Sequence, residues 1–149
     1  MKTPKYSIIP KPQKYEVLEG TYTVTPATAV LCNPEFVKAG NYLSQFLQTK
    51  KDAQNGAIKI NKDDSIRSEG YKLKINNDGV VITASDVNGA FYGAVTLKIM
   101  IMQSKKESGV AVLNGAYIYD YPKFAYRCGM MDESRHFFGV DAVKRALDS

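Results

Sequence analysis

GYKLKINNDGVVITA, residues 70–84, decides the fold. Tyr71, Leu73 and Ile75 alternate with Lys72 and Lys74. Alternation with period two puts the apolar set on one face of a strand and the lysines on the other. Asn77-Asp78-Gly79 supplies turn chemistry, and Val80 to Thr83 returns. The stretch predicts an antiparallel hairpin with one buried and one wet face.

Working downstream, SDVNGAFYGAVTLKIMIMQ (residues 85–103) predicts a helix capped by Ser85 or Asp86. Ala90, Ala94, Leu97 and Ile101 form one stripe, with Gly89 and Gly93 as a small ridge beside it. Two helical glycines cost about 1 kcal/mol each relative to alanine. Close packing of the helix backbone on a sheet or another helix would justify them. Gly109 to Asp120 follows as two strand pieces, split at Asn114-Gly115.

Upstream, Tyr15–Leu18 and Thr21–Val24 are β-prone, with Glu19-Gly20 as turn material. Pro4, Pro10 and Pro12 keep the start extended and at an edge. Asn33-Pro34 predicts a helix start, with Phe36, Ala39, Leu43, Phe46 and Leu47 at helical spacing. Ala57 to Asn61 is a short strand. Tyr121-Pro122 breaks the pattern and sets a boundary. Residues 1–121 therefore predict an α+β unit: a mainly antiparallel sheet with two helices on one face. Residues 122–149 predict a strand over Arg127–Asp132, a loop, and an amphipathic helix from Asp141 with Val143 and Leu147 on one side. A lone β-α unit of that kind needs neighbours to bury its face.

Composition bounds the function. The chain has 149 residues, net charge +5 and no low-complexity tract, as a folded domain would. Its lysines are scattered, so a solvated surface is expected rather than a nucleic-acid face. Cys32 and Cys128 stand far apart without a CxxC companion. No metal site is implied, and two free buried thiols are expected. No cofactor motif is present. No apolar run is long enough to span a bilayer, and MKTPKYSIIPKP is too polar for a signal peptide.

CGMMDESRHFFGV, residues 128–140, concentrates the chemistry. Adjacent Asp132 and Glu133 would point to opposite faces of a strand, so they cannot flank one glycosidic bond as an acid/base pair. Cys128 and His136 lack an orienting third group, and a mid-strand thiol has no helix start to lower its pKa. His136 suits packing or a supporting hydrogen bond. Arg135 follows the strand, where residues of β-α barrels face substrate. Its guanidinium fork suits sugar hydroxyls or carboxylates, or it is a surface arginine paired with Asp132 or Glu133.

YPKFAYRCGMMDESRHFFGVDAVKRALD, residues 121–148, resembles the start of the catalytic barrel in glycoside hydrolase family 20, the β-N-acetylhexosaminidases. The matching residues are Pro122, Phe124, Tyr126, Arg127, Asp132, Ser134, Arg135, His136, Phe137, Val140, Val143, Lys144, Arg145 and Asp148. SIIPKPQKYEVLEGTYTV and EGYKLKINNDGVVITASDVNGAFYGAVTLKIM resemble the family's non-catalytic N-terminal domain. Cys128 and Glu133 depart from the family pattern.

The resemblance implies an N-terminal fragment: the domain over 1–121, then the truncated first β-α unit of a TIM barrel over 122–149. It implies a parent that removes terminal β-linked N-acetylhexosamine from glycans, with the substrate's acetamido group as nucleophile. It makes Arg135 a substrate-binding residue, and it implies contact between the N-terminal domain and the barrel. No catalytic residue is expected in this chain, because the family's Asp-Glu pair comes much later. Bacterial members are often exported, so the resemblance implies a periplasmic or extracellular parent. Three other classes make distinct predictions. A carbohydrate-binding module predicts saturable sugar binding. An interaction domain predicts only contact with a partner. A basic nucleic-acid binder predicts affinity that falls steeply with salt.

Overall fold

A computed structural model describes residues 6–49, 55–104, 110–132, 134–135 and 137–148. The strands are β1 (Lys14–Val24), β2 (Thr28–Cys32), β3 (Asn55–Lys62), β4 (Tyr71–Asn76), β5 (Gly79–Ala84) and β6 (Ala111–Asp120). The helices are α1 (Val37–Leu47), α2 (Val87–Ser104) and α3 (Val140–Asp148). The six strands form one sheet in the order β1-β6-β4-β5-β3-β2.

The hairpin forms in the expected register. Tyr71 pairs with Ala84, Leu73 with Ile82 and Ile75 with Val80, and all six side chains are buried. The sheet is mixed rather than mainly antiparallel throughout. β1–β6, β6–β4 and β4–β5 are antiparallel, but β2–β3 and β3–β5 are parallel. The physical reason is the connection: α1 lies between β2 and β3, and a helical crossover returns the chain in the same direction.

Two expected turns are absent. Glu19-Gly20 lies inside the single strand β1, where the pairing slips between Val17 and Thr21. Gly20 adopts φ +91°, which an L side chain rarely takes up. Asn114-Gly115 likewise runs straight through β6. In both places the flanking residues are paired with a neighbouring strand, and that pairing outweighs the local turn preference.

Both helices cover one face. Cys32, Ile60 and Ile82 are lateral partners and so point the same way. A Cβ on Gly40 of α1 would lie 2.7 Å from Cys32 Sγ, and one on Gly93 of α2 would lie 2.7 Å from Ile82 Cγ2. The small ridge of α2 thus lets its backbone approach the sheet. The stripe Ala90, Ala94, Leu97 and Ile101 is buried there, with Leu43 and Phe36 from the α1 side. Asn33 makes no side-chain cap; Pro34–Phe36 instead forms a 3-10 turn that leads into α1.

The other face is open. The pairing lines up Lys14, Tyr119 and Lys72 in one row, and Glu16, Tyr117, Lys74 and Lys59 in the next. Lysines scattered in sequence are therefore gathered on one face. Lys14 pairs with Glu16 at 2.9 Å, and Lys72 with Asp63 at 3.6 Å. The Lys14 ammonium sits 5.6 Å from the Tyr117 ring centroid, and Tyr119 meets Tyr121 edge-on.

Asp86 starts α2. Its carboxylate accepts from Gly89 N (2.8 Å), Glu69 N (2.7 Å) and Ser68 Oγ (2.9 Å). Burial alone would push this carboxyl up, but these hydrogen bonds outweigh it and hold it below the usual carboxylate range. A depressed carboxylate stabilises the fold above its unfolded pKa of about 3.9. That contribution disappears as pH falls through the lower folded value. Asp86→Asn is expected to cost about 1 kcal/mol at neutral pH, in the usual range for a lost cap. It should also flatten the fall in Tm below about pH 4, where the native carboxylate protonates. An acid limb of Tm against pH identical to that of the unsubstituted protein would refute the cap's role.

Candidate functional site

Beyond β6 the described residues between Tyr121 and the start of α3 at Val140 form no helix or strand. The expected strand over Arg127–Asp132 does not form. A strand needs a neighbour for its backbone groups, and no strand of the sheet pairs with this stretch. Cys128 is therefore exposed rather than buried mid-strand, while Cys32 is half-buried beneath α1; both are free thiols. Glu133 and His136, and with them the acid pair and the thiol–imidazole pair, lie outside the described residues. Among the described residues no metal-holding cluster of His, Cys, Asp or Glu occurs. None of the described helices is long and apolar enough to cross a membrane.

Asp132 organises a tight turn. Its Oδ1 accepts from Ser134 Oγ (2.8 Å), Ser134 N (3.2 Å) and Arg135 N (3.2 Å). These bonds, the Ser134 hydroxyl first, hold its carboxyl below the usual range. Arg135 Nε pairs with Asp132 Oδ2 at 3.2 Å, and the arginine side chain is 89% exposed. The turn leaves the Arg135 side chain on the surface, paired with Asp132.

A groove of about 660 Å³ opens beside this stretch. Its walls are the N-terminal segment around Ile8–Gln13, the outer side of α2 at Phe91, Val95 and Ile99, and the exit stretch from Tyr121 to Arg127. The N-terminal wall is tied to α2 by paired bonds between Ser7 and Gln103 (2.9 and 2.6 Å). Tyr6 OH accepts from Asn114 N at 2.7 Å and ties the same segment to β6. On the floor, Tyr71 OH meets Thr96 Oγ1 at 2.7 Å, and burial pushes the phenol well above its ordinary value. Helix α2 is apolar on both sides: Phe91 and Met102 are exposed away from the buried stripe, and Phe91, Val95 and Ile99 line the groove. Helices apolar all round belong between two layers.

Sequence reasoning passed over one constellation at this site. Arg127 Nη1 and Nη2 bind Glu69 Oε2 (3.2 Å) and Oε1 (2.9 Å), and Nη2 also reaches Tyr92 OH (3.2 Å). Arg127 stood in the matched motif without a role. Glu69 precedes the hairpin by two residues, and nothing in local spacing links it to Arg127.

The fold and site define a class first: a mixed α+β domain with a helical layer, left apolar on its outer side, and an exit stretch that borders its groove. The family model "Glycosyl hydrolase family 20, domain 2" matches residues 5–121, and the chain belongs to that family. It is 30% identical to a beta-hexosaminidase of Porphyromonas gingivalis over 95% of its length, covering 20% of that relative. It is 38% identical to N,N'-diacetylchitobiase of Vibrio harveyi over 55% of its length, covering 9% of that relative. Among solved structures, the GH20 beta-N-acetylhexosaminidase of Streptomyces coelicolor A3(2) superposes with TM-score 0.80 at 31% identity. That match covers 98% of this chain and 32% of the other.

Proposed function

We propose that this chain is the non-catalytic N-terminal part of a β-N-acetylhexosaminidase, with a boundary at residues 121/122. In this reading residues 122–149 open the first β-α unit of a (β/α)8 barrel. The whole protein is an exo-glycosidase that removes terminal β-linked N-acetylhexosamine by substrate-assisted, retaining hydrolysis. The observation that carries the reading is α2. Its exposed Phe91 and Met102 and the adjoining groove want a second layer, and the exit stretch leaves beside them. The barrel of the same protein is the layer proposed. In that barrel Arg127–Asp132 would be the first strand, and its neighbouring strands would supply the pairing it lacks here.

Within the barrel, Arg135 binds hydroxyls of the terminal sugar through its Nη fork. The acid that protonates the leaving oxygen, and the carboxylate that orients the acetamido group, come from elsewhere in the barrel. This chain by itself is therefore expected to give no turnover of a chromogenic N-acetylglucosaminide. The protein extended through the barrel should hydrolyse it, and Arg135→Ala there should lower kcat/KM by on the order of 100-fold, as loss of charged hydrogen bonds to a bound sugar would. Turnover by the 149-residue chain that survives repurification, or an extended protein indifferent to Arg135→Ala, would refute the reading.

A further inference from the structure

We propose that Glu69, Tyr92 and Arg127 form a clamp that sets the direction in which the chain leaves the sheet domain. The clamp thereby positions the stretch that carries Arg135. Its part in positioning Arg135 rests on the functional reading above; its existence rests on the geometry alone.

Both Nη groups of the Arg127 guanidinium are engaged. Nη1 donates to Glu69 Oε2 (3.2 Å) and to the Phe124 carbonyl (2.6 Å). Nη2 donates to Glu69 Oε1 (2.9 Å) and Tyr92 OH (3.2 Å). Tyr92 OH donates in turn to Glu69 Oε1 (3.2 Å). The pair is two-pronged, and the bond to Phe124 O closes the exit stretch into a loop around its own arginine. Isolated surface ion pairs contribute little, but two-pronged pairs held in a network are the exception. The guanidinium, with help from Tyr92, holds the Glu69 carboxyl below its ordinary range.

The receiving side is prepared for this. Glu69 adopts φ +59°. Among the described residues the other non-glycine residue at positive φ is Gln48, which ends α1. Glu69 ends no helix, so its strained backbone needs another explanation. That conformation is locked from behind: Glu69 N donates to Asp86 Oδ2, and Gly70 O lies against Gly89 at the start of α2. Glu69 is thus a carboxylate aimed by the core helix, and Arg127 is the residue it catches. Tyr92 stands on that same helix. Each member therefore refers the exit stretch to α2, the element that borders the groove.

The test is hydrogen exchange of the Arg127 guanidinium in this chain, whose Nη groups carry the bonds. Glu69→Gln and Tyr92→Phe should each speed that exchange by about tenfold, the loss expected for a charged hydrogen-bonded pair. Amide protection in β4, β5 and α2 should stay unchanged, which reports that the fold persists. Unchanged guanidinium exchange in either variant overturns the clamp. A second measurement needs no variant. The Arg127 guanidinium protons of the unsubstituted chain should exchange slowly and show contacts to Tyr92; averaging to a free arginine signal also overturns it. An extended protein without glycosidase activity would refute the functional reading and leave these exchange rates untouched, so the two failures are separable.

Discussion

Gly89→Ala lowers the stability of the domain by about 2–4 kcal/mol, against a helix-propensity gain of about 1 kcal/mol from alanine. A Cβ at Gly89 would press into the Gly70 carbonyl oxygen and lie 3.0 Å from the Gly70 carbonyl carbon and 3.2 Å from that of Glu69. The obstacle is backbone, so no rotamer change relieves it. Either the start of α2 lifts from the 69–70 loop or the loop moves. Both movements pull apart the Asp86 bonds to Gly89, Glu69 and Ser68. The lost cap adds its own cost, about 1 kcal/mol. For a chain of this size the total corresponds to a fall in Tm of roughly 6–12 °C. Gly129→Ala is the control, because a Cβ added there would meet nothing within 4 Å and its φ is ordinary. It should stay within about 0.5 kcal/mol. Thermal and urea unfolding followed by circular dichroism decide the matter. A Gly89→Ala protein that melts with the parent would mean that α2 does not sit on the loop as described.

Leu73→Ala removes the centre of the core. Leu73 is fully buried on β4, flanked by Ile118 of β6 and Ile82 of β5, beneath α2. Truncation there loses transfer free energy and leaves a cavity that two hydrogen-bonded neighbours keep from collapsing. The expected cost is about 3–4 kcal/mol, with a fall in Tm of roughly 10 °C. Lys74→Ala, one residue on and on the open face, should change stability by about 0.5 kcal/mol at most. Equal effects at the two positions would mean that the hairpin is set in the wrong register, since a slip of one residue exchanges the faces.

The hairpin and α2 were legible because their signals are local and agree with one another. The period-two pattern of 71–75, the Asn-Asp-Gly turn and the Ala90–Ile101 stripe each name a face, and the core uses all of them. The glycines of α2 were legible as a request for close approach, though not for what approaches. The parallel half of the sheet was not read: the expectation was mainly antiparallel, although a helix between β2 and β3 favours a return in the same direction. The breaks assigned to Glu19-Gly20 and Asn114-Gly115 failed for another reason. Turn propensity there amounts to about 1 kcal/mol, and pairing along a full strand overrides it.

The exit stretch shows the same division more sharply. Composition and spacing marked 128–140 as chemically dense and left Arg135 open between a substrate fork and a surface arginine paired with Asp132 or Glu133; the structure shows the Asp132 pair. The strand expected over Arg127–Asp132 needs a partner strand, which no local pattern can supply. By itself the sequence determined which residues face inward, where α2 starts, and that the strand pattern ends at Tyr121-Pro122. Only the tertiary structure decided strand order and direction, the gathering of the lysines on the open face, and the meeting of Glu69 with Arg127. Burial and turn preference act over a few residues and leave a periodic trace in sequence. Ion pairs and sheet neighbours join positions far apart along the chain, so they exist only once the chain has closed on itself.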